Sequence, residues 1–382
     1  MVVRRILVSL AVIGMAIAAL LPRNPQPRGT PLWPGARYTR EQRDLAVQRG
    51  LHFLYYSFAT KDAYFRQYGS DLLSAFYNIA ETSQNRELSR TAWTMGHERA
   101  LEWRRLYPKV PAETDANEVS DLVFGHDAAV RLGVPDPRFD AQLRAAAARF
   151  SVYDYLLFDP VNEPPPSDVP KECEKCGHQS ARGVTVCWHC GAKLEMRIRW
   201  DLFQDALIAT YTGDRAGIPL GAHYADVLKW LPAMRPYPPR RRHHNEEFYS
   251  GLYTVTHVVY TYNDYSQSRL SRECFPEEFD HLQATLRHAI DDKDPETMGE
   301  YLDTLRSFGL GFQDQIIRDG FEYLLSVQNP DGTWGDVKDP DPYGRYHPTW
   351  TAIDGLRDYR WTRVMPCPAG LVSDGRLGQD KR

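Results

Sequence analysis

Triplets of one acidic and two apolar residues recur along this chain: Asp71-Leu72-Leu73, Asp121-Leu122-Val123 and Asp201-Leu202-Phe203. Each opens a stretch of helical period, and three more in the same role begin near Gly251-Leu252-Tyr253, Thr297-Met298-Gly299 and Thr349-Trp350-Thr351. Amphipathic stretches lie between them at 40–58, 85–107, 138–150, 217–231, 276–292 and 313–328. The pattern reads as helical hairpins starting about 50 residues apart, none of which can bury its apolar face alone. Stacking neighbours until the array closes solves that problem, so the expected fold is all-α: an (α/α)6 toroid of inner and outer helices around a central cavity. An irregular helical domain or an open solenoid is the competing arrangement.

One junction breaks the spacing, because Asp121 and Asp201 stand 80 positions apart. The excess coincides with a Pro- and Cys-rich stretch, 159–198, which reads as an insertion between toroid parts 39–158 and 199–360; a tail follows at 361–382. Within it, 171–191 carries Cys173-Glu174-Lys175-Cys176-Gly177 and Cys187-Trp188-His189-Cys190-Gly191. Two-residue spacing lets both thiolates of a knuckle reach one ion about 2.3 Å away. The glycine after each second Cys permits the tight turn. Cys173, Cys176, Cys187 and Cys190 are therefore the expected ligands of a structural zinc, the metal supplying folding energy that so short a segment lacks. Iron in the same set, or two disulfides, are the alternatives. Cys274 and Cys367 have no partner motif and are expected as buried apolar thiols.

Arg4 and Arg5 precede an uninterrupted apolar stretch at 6–21, whose helix would be about 24 Å long. It reads as a signal-anchor or as a cleaved signal peptide with Ala16-Ile17-Ala18 at the cleavage site. A Pro-, Gly- and Arg-rich linker follows at 22–38. The expectation is a single-pass membrane protein whose body is exported to the periplasmic or extracellular side. A net charge of −4 gives no reason to expect nucleic acid. The 22 Tyr and 9 Trp suit a concave pocket for a small molecule or lipid-like substrate.

Near the C-terminus, Gln328-Asn329-Pro330-Asp331-Gly332-Thr333-Trp334-Gly335-Asp336 is followed by Tyr346-His347-Pro348-Thr349-Trp350. Gln, three residues, Gly, one residue, Trp resembles the repeat of squalene–hopene cyclases and related prenyltransferase-type toroids, over 320–356. The resemblance implies the toroid and a turn in which Trp334 stacks on a helix end, stitching neighbouring hairpins together. The acidic Asp-x-Asp-Asp run that initiates cyclisation in that family is absent, since Asp291-Asp292-Lys293-Asp294 has the wrong order. The Asp, Cys and His zinc set of the prenyltransferases is not reproduced around Cys274 or Cys367 either. No catalytic residue is carried over.

Polar residues on the inner helices are the remaining candidates: His126, His257, Glu300, Asp303 and His347, as acid–base groups or ligands of a second metal. Alignment on Gly133, Asn263 and Gly309 puts Asp127, His257 and Asp303 at one depth. Glu300 and Asp303 share a helix face, and His347 precedes Pro348. Each also has a structural role open to it: a satisfied core histidine, a capping pair or a helix cap. The expected function is an enzyme acting on an apolar or amphiphilic substrate. A non-catalytic scaffold with a zinc docking module is the alternative, and carbohydrate chemistry with paired carboxylates is a third reading.

Overall fold

Polar caps set the helix starts. Thr39 begins α1 (Arg40–Phe53): its hydroxyl accepts from Gln42 N at 3.2 Å, and Gln42 Oε1 accepts from Thr39 N at 2.9 Å, satisfying two orphan donors at once. A π-helical turn, Leu54–Ala59, leads to α2 (Asp62–Thr82). Asn85 caps α3 (Arg86–Leu106), and Asp115 with Glu118 boxes the start of α4 (Ala116–Arg131). Asp136 caps α5 (Pro137–Ala147), whose first residue is proline, a position where the missing N–H costs nothing. After the short α6 (Val152–Leu156) come the insertion, α7 (Arg199–Ala216), the short α8 (Tyr224–Leu228) and α9 (Leu231–Met234), and α10 (Glu246–Tyr262). Then follow α11 (Pro276–Asp291), α12 (Pro295–Ser307, capped by Asp294), α13 (Gln315–Val327) and α14 (Tyr343–Leu356). This computed structural model describes residues 29–243 and 245–368. It is all-helical apart from isolated bridges and two short strands, β1 (Ser268–Arg269) and β2 (Arg363–Val364), paired in parallel.

Along the series α2, α4, α7, α10, α12, α14, each helix packs on the next, and α14 comes back against α1. Tyr346 of α14 donates its hydroxyl to Asp71 Oδ2 of α2 at 2.8 Å. Helices α3, α5, α11 and α13 each pair with members of that series. The fourth outer stretch, expected as one helix over 217–231, starts late because Gly217 ends α7 in a left-handed conformation and Pro219 follows, and it is broken into α8 and α9, the second with Pro232 in its first turn. At Gly299 and Gly355, α12 and α14 meet backbone to backbone: a Cβ on Gly299 would lie 2.4 Å from the Thr351 carbonyl. That approach brings the polar faces of these two helices together.

The Gln328–Trp334 turn ties the last hairpin to the first. Gln328 Nε2 donates to Ala46 O of α1 at 2.8 Å and to Gly332 O at 3.0 Å, while the buried Trp334 donates Nε1 to Leu324 O at 2.8 Å. Residues 29–38 of the expected linker fold onto the body, with Leu32 buried and the Trp33 ring 5.1 Å from that of Phe312.

Two expectations are corrected here. Cys274 and Cys367 are bonded to each other in a disulfide rather than being free apolar thiols; pairing of β1 with β2 carries the 363–367 segment beside the start of α11. The single-pass membrane protein with an exported body is not supported: among the described residues no helix is long and apolar enough to cross a membrane. The apolar segment 6–21 itself lies outside them.

Candidate functional site

Two clusters of ligand-type side chains stand out, one in the insertion and one in the helical body. The two Cys knuckles repeat each other in backbone detail. Gly177 N donates to Cys173 O and Gly191 N to Cys187 O, both at 2.8 Å, with the glycines in the left-handed region at φ +68° and +70°. Cys173 and Cys187 are buried with Leu194 in a small core of their own. Across the knuckles, Cys173 Sγ lies 3.5 Å from Cys190 Sγ and Cys176 Sγ lies 3.7 Å from Cys187 Sγ. Bonded sulfurs would be about 2.05 Å apart, so the disulfide alternative does not hold for these four. A tetrahedron with metal–sulfur bonds of about 2.3 Å has edges of about 3.8 Å, and the thiols fit it. They can hold one metal ion.

The second cluster lines a cavity of about 490 Å³ to which α2, α4, α7, α10, α12 and α14 all contribute. On its wall, Glu296 and Glu300, one turn apart on α12, face His347 of α14. One ligating atom from each lies within 4.8 Å of the others. His347 Nδ1 is 3.0 Å from Glu296 Oε1, close enough for an ion pair although the ring N–H is not aimed along a hydrogen bond. Glu300, only 2% exposed, accepts a bond from Thr256 Oγ1 at 2.6 Å. His257, on the next helix, is turned so that its Nδ1 meets Tyr253 O at 2.8 Å, which leaves Nε2 as the basic nitrogen of the ring. Tyr343 stacks on His347 with centroids 4.7 Å apart.

Burial and pairing split the protonation of these groups. Burial opposes a charge on His347, but the Glu296 carboxylate outweighs it and pushes the imidazole up to about 9. Against the same burial, His347 holds Glu296 below the usual carboxylate value. Glu300 has less help and burial pushes it up to about 8, while burial drives His257 down to about 4.

Of the residues singled out in the sequence, His257, Glu300 and His347 converge on this cavity. Asp303 sits in a smaller recess of about 50 Å³ behind it, where it accepts from Ser266 Oγ at 2.6 Å. Burial, reinforced by Asp354, raises its pKa. His126 is elsewhere: it points between α4 and α5, its ring 5.5 Å from Phe139 and its Nε2 3.7 Å from Asp140, and burial lowers its pKa. The expected level of Asp127, His257 and Asp303 does not form a ring either, since Asp127 is bound by Arg131 and Arg215. Glu296 and Asp71 are the cavity carboxylates that sequence reasoning missed, and Arg215 and Tyr253 were not singled out either. The Glu296–Glu300 spacing of one helical turn was the available signal for the first, and Asp71 was read only as a helix start.

A second cavity of about 480 Å³ shares Phe124 and Ile208 with the first, and its far wall, with Val169, Pro170, Glu172, Gln179 and Arg197, comes from the insertion. The Cys module thus borders a cavity next to the one that holds the acidic cluster. Comparison of the chain with known protein families, with curated proteins and with solved structures finds no match. The likeness of 320–356 to cyclase repeats stands on its motif alone.

Proposed function

We propose that the body is an (α/α)6 toroid whose central cavity is the active centre of an enzyme, with the Cys module as a structural zinc ribbon at its rim. One observation carries the enzymatic reading: Glu296, Glu300 and His347 converge within 4.8 Å beside His257 on the wall of a single cavity. Residues kept for stability scatter into separate caps and ion pairs, as His126 and Asp127 do here. Convergence of partly buried titratable groups in a cleft is the mark of a reactive site.

In this reading Glu300, kept protonated near neutrality by burial, donates or takes back a proton, His257 stays neutral and offers Nε2 to a substrate hydroxyl, and the paired Glu296 and His347 hold the charge that develops. Asn78, Gln204 and Arg215 share the lining with Tyr253, Tyr265 and Tyr343, so hydrogen-bonding groups surround the space. Such a lining favours a polar, hydroxyl-bearing substrate, a carbohydrate being the plainest case, over the apolar or lipid-like one expected from composition. Zinc is favoured for the module because four thiolates in a tetrahedron suit it and leave no open position for substrate.

A scaffold reading has one observation in its favour: Trp188, on the second knuckle, is 70% exposed and could dock a partner. The two separate in one assay. The full chain is screened for turnover of glycosides, esters and amides, alongside His257→Gln and Glu300→Gln with unchanged helicity. The enzymatic reading expects turnover that falls at least about 100-fold in both variants. Turnover unaffected by either substitution removes this cavity from catalysis, and absence of turnover together with partner capture lost in Trp188→Ala favours the scaffold.

A further inference from the structure

We infer that Glu296, Glu300 and His347 bind a divalent cation in the cavity, in a site distinct in kind from the Cys module. The inference deepens the reading of this cavity as an active centre, and cation binding can be measured without knowing the reaction.

The donor atoms are already near coordination distances. Adjacent ligands of a cation with bonds of about 2.1 Å stand about 3.0–3.4 Å apart, and His347 Nδ1 and Glu296 Oε1 are 3.0 Å apart. The whole set spans no more than 4.8 Å, so a side-chain adjustment on the order of 1 Å closes it. His347 Nδ1, paired with Glu296 across 3.0 Å, would give up its proton to bind, and a cation would take that proton's place between the two side chains. In Glu300, nearly fully buried, Oε2 is taken by Thr256, while Oε1 makes no bond among the described residues.

The surroundings fit a metal's outer shell. Thr256 bonds Glu300, the Tyr253 hydroxyl reaches Glu296 Oε1 at 3.3 Å, and the Tyr343 ring flanks His347; such partners orient ligands and raise their affinity. Charge points the same way. Asp71, Glu296 and Glu300 bring three carboxyl groups to the cavity, the one guanidinium there, Arg215, is committed to Asp127, and a divalent ion would hold Glu300 ionised and His347 neutral as it binds. Two carboxylates and one imidazole suit a hard to borderline divalent ion such as Mn²⁺ or Fe²⁺, which does not seek thiolates first. Three protein ligands leave coordination positions open toward the cavity, where a water or a substrate hydroxyl would sit.

Mn²⁺ is the discriminating probe, since it favours carboxylate over thiolate ligands. The full chain, freed of loosely bound metal, is titrated with Mn²⁺ and the free ion counted by electron paramagnetic resonance. The inference expects saturable binding, weakened about 10- to 100-fold in Glu300→Gln, a loss of the size expected for a removed partner, and abolished in Glu296→Gln/Glu300→Gln with helicity unchanged. No saturable binding by the parent chain, or binding undiminished in the double variant, overturns it. Turnover that depends on Glu300 in a chain that binds no Mn²⁺ or Zn²⁺ in the cavity would overturn the cation and keep the enzyme. Cation binding lost in the variants with turnover unchanged would do the reverse.

Discussion

The Cys module and the cavity cluster both gather ligand-type side chains, but they are assembled in opposite ways. The module takes its thiols from two knuckles within 173–190, and four thiols at tetrahedral spacing would enclose one ion on all sides. The cavity cluster takes Glu296 from α12 and His347 from α14, 51 positions further on, and faces an open space. In the first, a bound metal would make the local fold, because a segment this short has no adequate core. In the second, the fold makes the site: the Gly299–Gly355 contact holds two helices close enough for their carboxylates and imidazole to meet. The proposed roles follow that division: a closed, locally encoded set for structure, an open, tertiary one for chemistry.

That contrast can be broken in several places. The largest effect belongs to Cys173→Ser/Cys176→Ser, which removes half the thiol set. Structural zinc contributes on the order of 10–16 kcal/mol to such modules, so the ion is lost and 159–198 becomes a trypsin-sensitive loop while the helical circular dichroism persists. A metal count per chain unchanged from the parent in this variant would show that the thiols hold no ion. Cys274→Ser opens a disulfide spanning 93 positions and should lower stability by about 4 kcal/mol without changing metal content. A melting temperature unchanged by that substitution, or a loss of metal, would erase the distinction between the two kinds of cysteine.

Gly299→Ala tests the tertiary half of the comparison. The new methyl group meets the Thr351 carbonyl, an overpacking that costs about 2–3 kcal/mol. The strain pushes α12 from α14, so Mn²⁺ binding in the cavity should fall while the module keeps its ion. Equal loss from both sites would mean that they are not independent.

The smallest effect lies outside both clusters. Burial, with His288 nearby, pushes His281 down to about 4, between the rings of Tyr237 and Phe248. A histidine whose folded pKa is depressed is held neutral by the fold, so its full stability is present above about 6.5 and is lost as pH falls toward 4. The loss should be about 2 kcal/mol after allowance for partial exposure, read as a falling urea midpoint. His281→Gln should flatten that part of the curve, and an unchanged slope would remove His281 as its source.

The same contrast explains what could be read in advance. Helix placement was legible because periods are local: the stretches opened by Asp71, Asp121 and Asp201 all lie in helices. But α2 and α4 begin upstream of the expected starts, at Asp62 and Ala116, because the cap at Asp115 and not the acidic triplet sets the first turn of α4. The Cys knuckles were legible for the same reason. The cavity was half legible, since His257, Glu300 and His347 were named but Glu296 was hidden in the first turn of α12. His126 and Asp127 misled because neighbouring helical positions differ by about 100° in direction: one turned toward α5 and the other toward Arg215 of α7. Cys274 and Cys367 have no local spacing at all, and only the pairing of β1 with β2 brings them together.

The most direct test counts metal in the full chain, saturated with Zn²⁺ and Mn²⁺ and then desalted, against Cys173→Ser/Cys176→Ser and Glu296→Gln/Glu300→Gln. The account predicts two ions per chain, one for each cluster, with each double variant losing its own ion and keeping the other. A single ion that disappears with the cysteines and ignores the glutamates would contradict it.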